Sequence, residues 1–163
     1  MKLVFSLMAA VGVAMAASAD PTDAPILGGK LPGGYRDWRL ISVAHEAGSL
    51  DDIRAILGND LAVEAYRSGR LPFPDGAVVA RIAWKYVPSA ENDKAFGQSQ
   101  SFVAGPPTNV QFMVKNSWGY ASTGGWGFAQ FDGGKATPVT VAACFSCHVP
   151  AAAHDFLFTR YAP

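Results

Sequence analysis

The sequence is poor in cysteine, histidine and charge, and each shortage excludes something. With two cysteines in 163 residues, the chain cannot be a small domain stapled by several disulfides. The three histidines and the single cysteine pair provide no second ligand pair for a structural zinc site. Thirteen basic residues stand against thirteen acidic ones, so neither nucleic acid nor an anionic membrane surface is an expected partner. A long apolar run occurs once, from Leu3 to about Ala17, and it is too short and too poorly flanked to anchor the chain in a bilayer. No repeat or low-complexity segment is present.

What is there begins with that run. Lys2 precedes it, and Ala17-Ser18-Ala19 stands before Asp20. This is the pattern of a secretory signal peptide over residues 1–19 with a small-residue cleavage site. A retained amphipathic helix is the poorer reading, because no polar face repeats. The expected mature chain starts near Asp20, is exported to the periplasm and has no membrane span. Residues 20–34, rich in Pro and Gly, read as an extended N-terminal arm. Residues 35–163 amount to one domain, with enough aromatic and aliphatic side chains for a core.

Along that domain, Tyr35 to His45 suits a strand or the start of one. Ser49 followed by Asp52 has the spacing of a capping box, and Ile53, Ile56 and Leu57 would share a helical face until Gly58-Asn59 interrupts them. Asn59 can cap a helix through LAVEAYRS, which Gly69 closes. AVVARIAWKYV, 77–87, reads as a long strand ended by Pro88. VQFMVK, 110–115, alternates cleanly, and GGWGFAQF, 124–131, alternates glycine with aromatics before the turn DGG. In the latter, Trp126 and Phe128 share a face and Phe131 points the other way. Thr137-Pro138 opens a short helical segment carrying both cysteines.

Those cysteines lie in CFSCH, 144–148. Two cysteines separated by two residues and followed by histidine have the spacing that attaches a c-type haem. Each thiol adds across one vinyl group, the two-residue spacer on a helical turn brings both sulfurs to the porphyrin edge, and His148 is placed under the iron. The competing readings are a disulfide-type redox pair, which would want a strand before it and a helix after it, and half a zinc site. The motif predicts one covalently attached haem c held by Cys144 and Cys147, with His148 as the metal ligand. Its position near the end of the chain, after a β-rich middle, sets the sequence apart from the helical electron carriers and the four-helix cytochromes c′.

The runs FPDGAVVARIAWK and VQFMVKNSWGYASTGGWGFAQF, the terminal CFSCH and the closing DFLFTRY together resemble the cytochrome P-460 family, which includes the cytochromes c′-beta. The likeness extends from about Tyr35 to Tyr161. It implies an α+β fold, mainly an antiparallel β-sheet with flanking helices and a C-terminal haem-attachment segment. It also implies a homodimer and one c-type haem whose distal position is open or weakly occupied. Family members oxidise hydroxylamine or bind nitric oxide and related small ligands.

The departures from that pattern are informative. In the hydroxylamine-oxidising members a lysine bonded to the porphyrin lies six residues after the aspartate of the DG turn, and counting from Asp75 puts Arg81 there. A guanidinium is always protonated and a poor nucleophile. Lys85, four residues on and on the same strand face, is the weaker candidate. Where the crosslinked enzymes have a distal glutamate, this chain has Gln111, which cannot accept a proton near neutral pH. Arg54 matches a distal arginine of the family; it would stabilise a polar ligand or a propionate, or else is a surface residue. Ala77, Val79 and Ala83 share the face of Arg81 and leave room for a large flat ligand.

Met113 is the one methionine outside the leader and either packs in the core or serves as a thioether ligand. His45 and His154 read as structural, and Phe73, Phe96 and Phe102 are possible aromatic caps over the iron. The resulting expectation is a periplasmic mono-haem cytochrome that binds nitric oxide or a related small nitrogen species at a five-coordinate iron, with Arg81, Gln111 and Arg54 around the ligand. It would exchange electrons with a periplasmic donor or acceptor. The alternatives are an oxidoreductase acting on hydroxylamine or nitric oxide and a His/Met electron carrier.

Overall fold

Six strands pair in chain order into one antiparallel sheet: β1 (Arg39–Glu46), β2 (Asp52–Gly58), β3 (Val78–Pro88), β4 (Phe102–Lys115), β5 (Trp126–Asp132) and β6 (Lys135–Thr137). Three helices flank it: α1 (Asp60–Ser68), α2 (Ala90–Phe96) and α3 (Val141–His148). This computed structural model describes residues 26–162; the signal peptide expected over 1–19 and the first part of the 20–34 arm lie outside the described residues. The α+β expectation holds: the sheet is wholly antiparallel and the helices lie beside it.

The strands form where apolar residues alternate with period two. Along β3, Val79, Arg81 and Ala83 face one side, and Val78, Ala80 and Ile82 face the other. The register carries that alternation across the sheet, with Val79 opposite Met113 and Met113 opposite Phe128. Two cores result, one on each face. The first gathers Ile41, Ile56, Val63, Phe73, Val79, Met113, Trp126, Phe128 and Leu157, with α1 and part of α3 packed on it. The second gathers Tyr35, Leu57, Ala80, Ile82, Phe112 and Phe131, covered by Leu27, Leu31 and Trp38 from the N-terminal segment.

Helix α1 follows the sequence signals closely: the Asn59 side chain accepts from the Ala62 amide, and Gly69 ends the helix in the left-handed conformation. The helix expected after Ser49 is not formed. Asp52–Gly58 is instead a central strand, paired with β1 on one edge and β3 on the other. Asp52, Arg54 and Ile56 take one face, and Ile53, Ala55 and Leu57 the other. Two ladders engage the backbone of this short segment on both edges, whereas a single helical turn would leave its ends unpaired. The Ile53/Ile56/Leu57 spacing fits both periods, and tertiary pairing decides between them.

Strand β4 also runs further than expected, through Gly105-Pro106-Pro107. Prolines are tolerated there because β5 pairs only from Val110 onward, so this half of β4 is an edge, and because the register with β3 shifts beside Trp84. Helix α2, capped by Ser89, lies in the connection between β3 and β4 and has no counterpart among the elements expected from the sequence. Thr137 closes β6, and Thr140, not Thr137-Pro138, caps α3 through the Ala143 amide.

Candidate functional site

The face of the first core carries a row of polar side chains one pleat from its apolar row, a separation of about 6.6 Å along each strand. In the apolar row, Val79, Met113 and Phe128 lie side by side; in the polar one, Arg81, Gln111 and Gln130 do. Charged groups inside a sheet require partners, and these residues supply each other's.

Asp52, further along β2 on the same face, is the hub of the hydrogen bonds, at 2% exposure. One carboxylate oxygen accepts from Arg54 Nε at 2.8 Å and Nη2 at 2.6 Å; the other accepts from Arg81 Nη2. Arg81 Nη1 donates to Asn109 Oδ1 at 2.7 Å and to Gln111 Oε1 at 3.2 Å. Gln111 Nε2 in turn donates to Gln130 Oε1 at 2.8 Å. Glu46 of β1 lies 3.6 Å from Arg54 Nη1. The chain of contacts therefore crosses from β1 to β5.

One donor in this network is left over: Arg81 Nε is buried without a hydrogen-bond partner among the described residues. Burial, and next the neighbouring Arg54, push the Arg81 pKa below its ordinary value, while Asp52 opposes them. The group stays a cation in this setting because its intrinsic pKa is so high. With both Nη atoms engaged, it is held in one orientation.

The CxxCH segment lies on the same side of the sheet. Cys144 and Cys147 are three residues apart on α3, so both face one side of the helix, and they are not bonded to each other. Burial, and next the nearby Cys147, push the Cys144 thiol up. The His148 imidazole packs between Phe128 and Phe158, at ring-centroid distances of 5.1 and 5.4 Å. Its Nδ1 lies 2.8 Å from the Phe156 carbonyl oxygen. A carbonyl only accepts, so Nδ1 carries the proton and Nε2 is left as the basic, metal-binding nitrogen. Helix α3 is apolar yet buries none of its residues, and Val149 and Phe158 beside it are exposed.

The other sequence candidates are spread more widely. Lys85 lies opposite Asp52 on the neighbouring strand but is exposed, and its ammonium reaches the Leu50 carbonyl at 3.4 Å. Met113 is packed in the first core. Phe73 is buried in that core against Tyr66 and Trp126, while Phe96 and Phe102 are exposed. His45 stacks on Tyr86 at 3.9 Å, and His154 meets Arg160 at 2.9 Å. Asp52 is absent from the sequence candidates, because its spacing from Ser49 reads as a helix cap. An aspartate two places before an arginine in a β-branched run is the signal that could have found it.

The model of the family Cytochrome P460 matches residues 32–159, nearly the whole described chain. The chain belongs to the cytochrome P460 family. No curated protein matches it. Membership makes this a haem-binding cytochrome.

The residues of this cytochrome P460 fit a haem. His148 has Nε2 without a hydrogen-bond partner among the described residues and Nδ1 fixed by a carbonyl, the arrangement typical of a metal-ligating imidazole. Two unbonded thiols sit one helical turn apart next to it. The exposed apolar surface of α3, Val149 and Phe158 is what a porphyrin would cover. A thioredoxin-like pair would precede its helix, but here both cysteines lie within α3. Among the described residues no group of three or more metal-ligating side chains is gathered, which a zinc site would need. No helix among them is long and apolar enough to cross a membrane.

Proposed function

We propose that the chain carries a single haem c, linked through Cys144 and Cys147 and ligated by His148, and that it binds nitric oxide or a related small nitrogen species in the periplasm. A haem iron held there would supply an open coordination position for a small neutral ligand. The observation that carries the proposal is the fixed Arg81 guanidinium, with a buried unpaired Nε–H, on the sheet face against which His148 packs.

Arg81 supplies a preorganised donor for a polar diatomic or for the oxygen of a nitrogen oxide. Asp52 and Asn109 hold it in place. Gln111 polarises the same guanidinium but takes no proton. Arg54 shares Asp52 with Arg81 and keeps that carboxylate occupied. Arg81, tied at both Nη atoms and protonated, does not replace a nucleophilic lysine, and the Lys85 ammonium is engaged by the Leu50 carbonyl. These features support ligand binding over crosslink-dependent oxidation.

The periplasmic assignment rests on the leader-like residues 1–19. Homodimer formation belongs to the same proposal: Phe96, Phe102 and Val103, exposed toward the far end of the β3–β4 hairpin, offer apolar surface for it. Exchange of electrons with a periplasmic donor or acceptor follows from the redox character of the bound group.

One observation favours a second reading, oxidation of hydroxylamine or nitric oxide: Asp52 places a carboxylate two side chains from Gln111, in contact with Arg81. The optical spectrum of the purified holoprotein, ferric and reduced, with and without nitric oxide or carbon monoxide, separates the readings. A high-spin ferrous spectrum that changes with gas supports ligand binding. A strongly red-shifted main band with a porphyrin-bonded peptide containing residue 81 or 85 revives the oxidase. Low-spin bands indifferent to gas would return Met113 as a ligand.

A further inference from the structure

Beneath the C-terminal segment lies a second buried charge cluster, remote from the polar row. Lys115, at the end of β4, is 4% exposed, and Asp155 is also buried. Lys115 Nζ donates to Asp155 Oδ1 at 2.7 Å, to Asp155 Oδ2 at 2.9 Å and to the Gly124 carbonyl at 2.9 Å. An ammonium has three protons, and all three are used. Asp155 Oδ2 also accepts from the Phe73 amide at 2.8 Å.

A buried ion pair is a poor device for stability alone, since an apolar pair of similar volume often serves as well or better. What this pair does hold is a special piece of backbone. Asp155 and Phe156 are consecutive non-glycine residues with φ of 53° and 64°, in the left-handed region that such residues occupy at a cost. The carbonyl at the end of that piece, Phe156 O, is the one facing His148 Nδ1.

Lys115 restrains Phe156 from two directions. It grips Asp155, the residue before it, and it grips the carbonyl of Gly124, against which the Phe156 ring is pressed. A Cβ added to Gly124 would fall 2.1 Å from that ring, so only glycine permits the approach.

We infer that Lys115 and Asp155 are positioning residues for His148, fixing through the Asp155-Phe156 backbone the carbonyl that sets the ring's rotation and the basicity of its ligating nitrogen. The inference rests on His148 being the proximal ligand. Removing the pair frees the carbonyl to turn away, and His148 Nδ1–H then donates less, which makes Nε2 a weaker donor to the metal.

The test uses the holoprotein with Lys115→Met and Asp155→Asn, compared with Phe131→Leu on the opposite sheet face. The readouts are the iron–histidine stretching band of the ferrous protein by resonance Raman, the reduction potential and the thermal midpoint. Lys115→Met and Asp155→Asn should move the band to lower wavenumber and raise the potential. Phe131→Leu should lower the midpoint and leave both where they are in the parent. If Lys115→Met does not accumulate, Asp155→Asn carries the test, since it keeps an acceptor for the Phe73 amide and the side-chain volume. A lowered midpoint with an unmoved band in these variants would make the pair a staple and overturn the inference. Absence of an iron–histidine band in the parent, with a spectrum unchanged by His148→Ala, would instead overturn the proximal assignment and the inference with it.

Discussion

The two faces of this sheet are made by the same strands and each holds an apolar core, yet one is wholly apolar and the other carries ions beside its core. Behind β3 and β4, Ala80, Ile82, Phe112 and Phe131 pack with Tyr35 and Trp38, and aromatic edges meet aromatic faces. In front, Arg81 and Gln111 occupy the intervening positions of those same strands. The period of two lets one segment build a stabilising core and a chemical surface at once, with little interference between them. The apolar packing on both faces sets where the strands lie. The polar row inherits that placement and uses it to align Asp52, Arg81 and Gln111.

If this division is real, damage to each face should read out differently. The largest loss of stability is expected from Phe112→Ala, about 3–5 kcal/mol for a buried aromatic truncation. Its gas affinity per folded holoprotein should match the parent. Asp52→Leu should cost a comparable amount, toward the lower end of about 3–5 kcal/mol, because it strands two arginines that retain some contact with water. Unlike Phe112→Ala, it should also alter ligand binding. Denaturant unfolding and gas titration of both variants check the pair, and equal effects on binding would erase the distinction between the faces.

A smaller effect is expected from Arg81→Met, which removes the unpaired donor while leaving Asp52 paired to Arg54. Loss of one hydrogen bond of about 1 kcal/mol should weaken nitric oxide binding roughly fivefold and speed its release. Stopped-flow release rates measure this, and an unchanged rate would remove Arg81 from the ligand's surroundings.

The smallest concerns Asp75, in the turn that leads into β3. Its carboxylate accepts from the Ser117 amide at 2.7 Å and hydroxyl at 2.8 Å, which holds its pKa below the ordinary 3.8. A folded pKa below the unfolded one gives a stabilisation that is present above about pH 4 and lost as pH falls through the folded value. Asp75→Asn should therefore flatten the acid limb of the stability curve slightly and leave neutral-pH ligand binding unchanged. Unfolding midpoints between about pH 2 and 5 provide the check.

The sequence itself determined the fold class. The alternation in 77–87, 110–115 and 124–131 placed β3, the inner half of β4 and β5, and it assigned Trp126 and Phe128 to one face and Phe131 to the other. Cap chemistry located α1 through Asn59 and Gly69, where local hydrogen bonds suffice. The spacing of CFSCH, with the segments around it, pointed to a haem and to a family that the matched model bears out.

Other features were decided by partners distant in the chain. Residues 52–58 fit helical and strand periods alike, and pairing on both edges made them a strand. The prolines of β4 hid its outer half, which is permitted only because β5 stops short of it. Asp52 had no meaning as a site residue until β2 lay beside β3, and Lys115 and Asp155 are 40 residues apart. A local pattern can specify which side of an element is buried, because burial follows periodicity. Which charges meet on that side depends on register and on the crossing of remote segments, and those are properties of the assembled sheet.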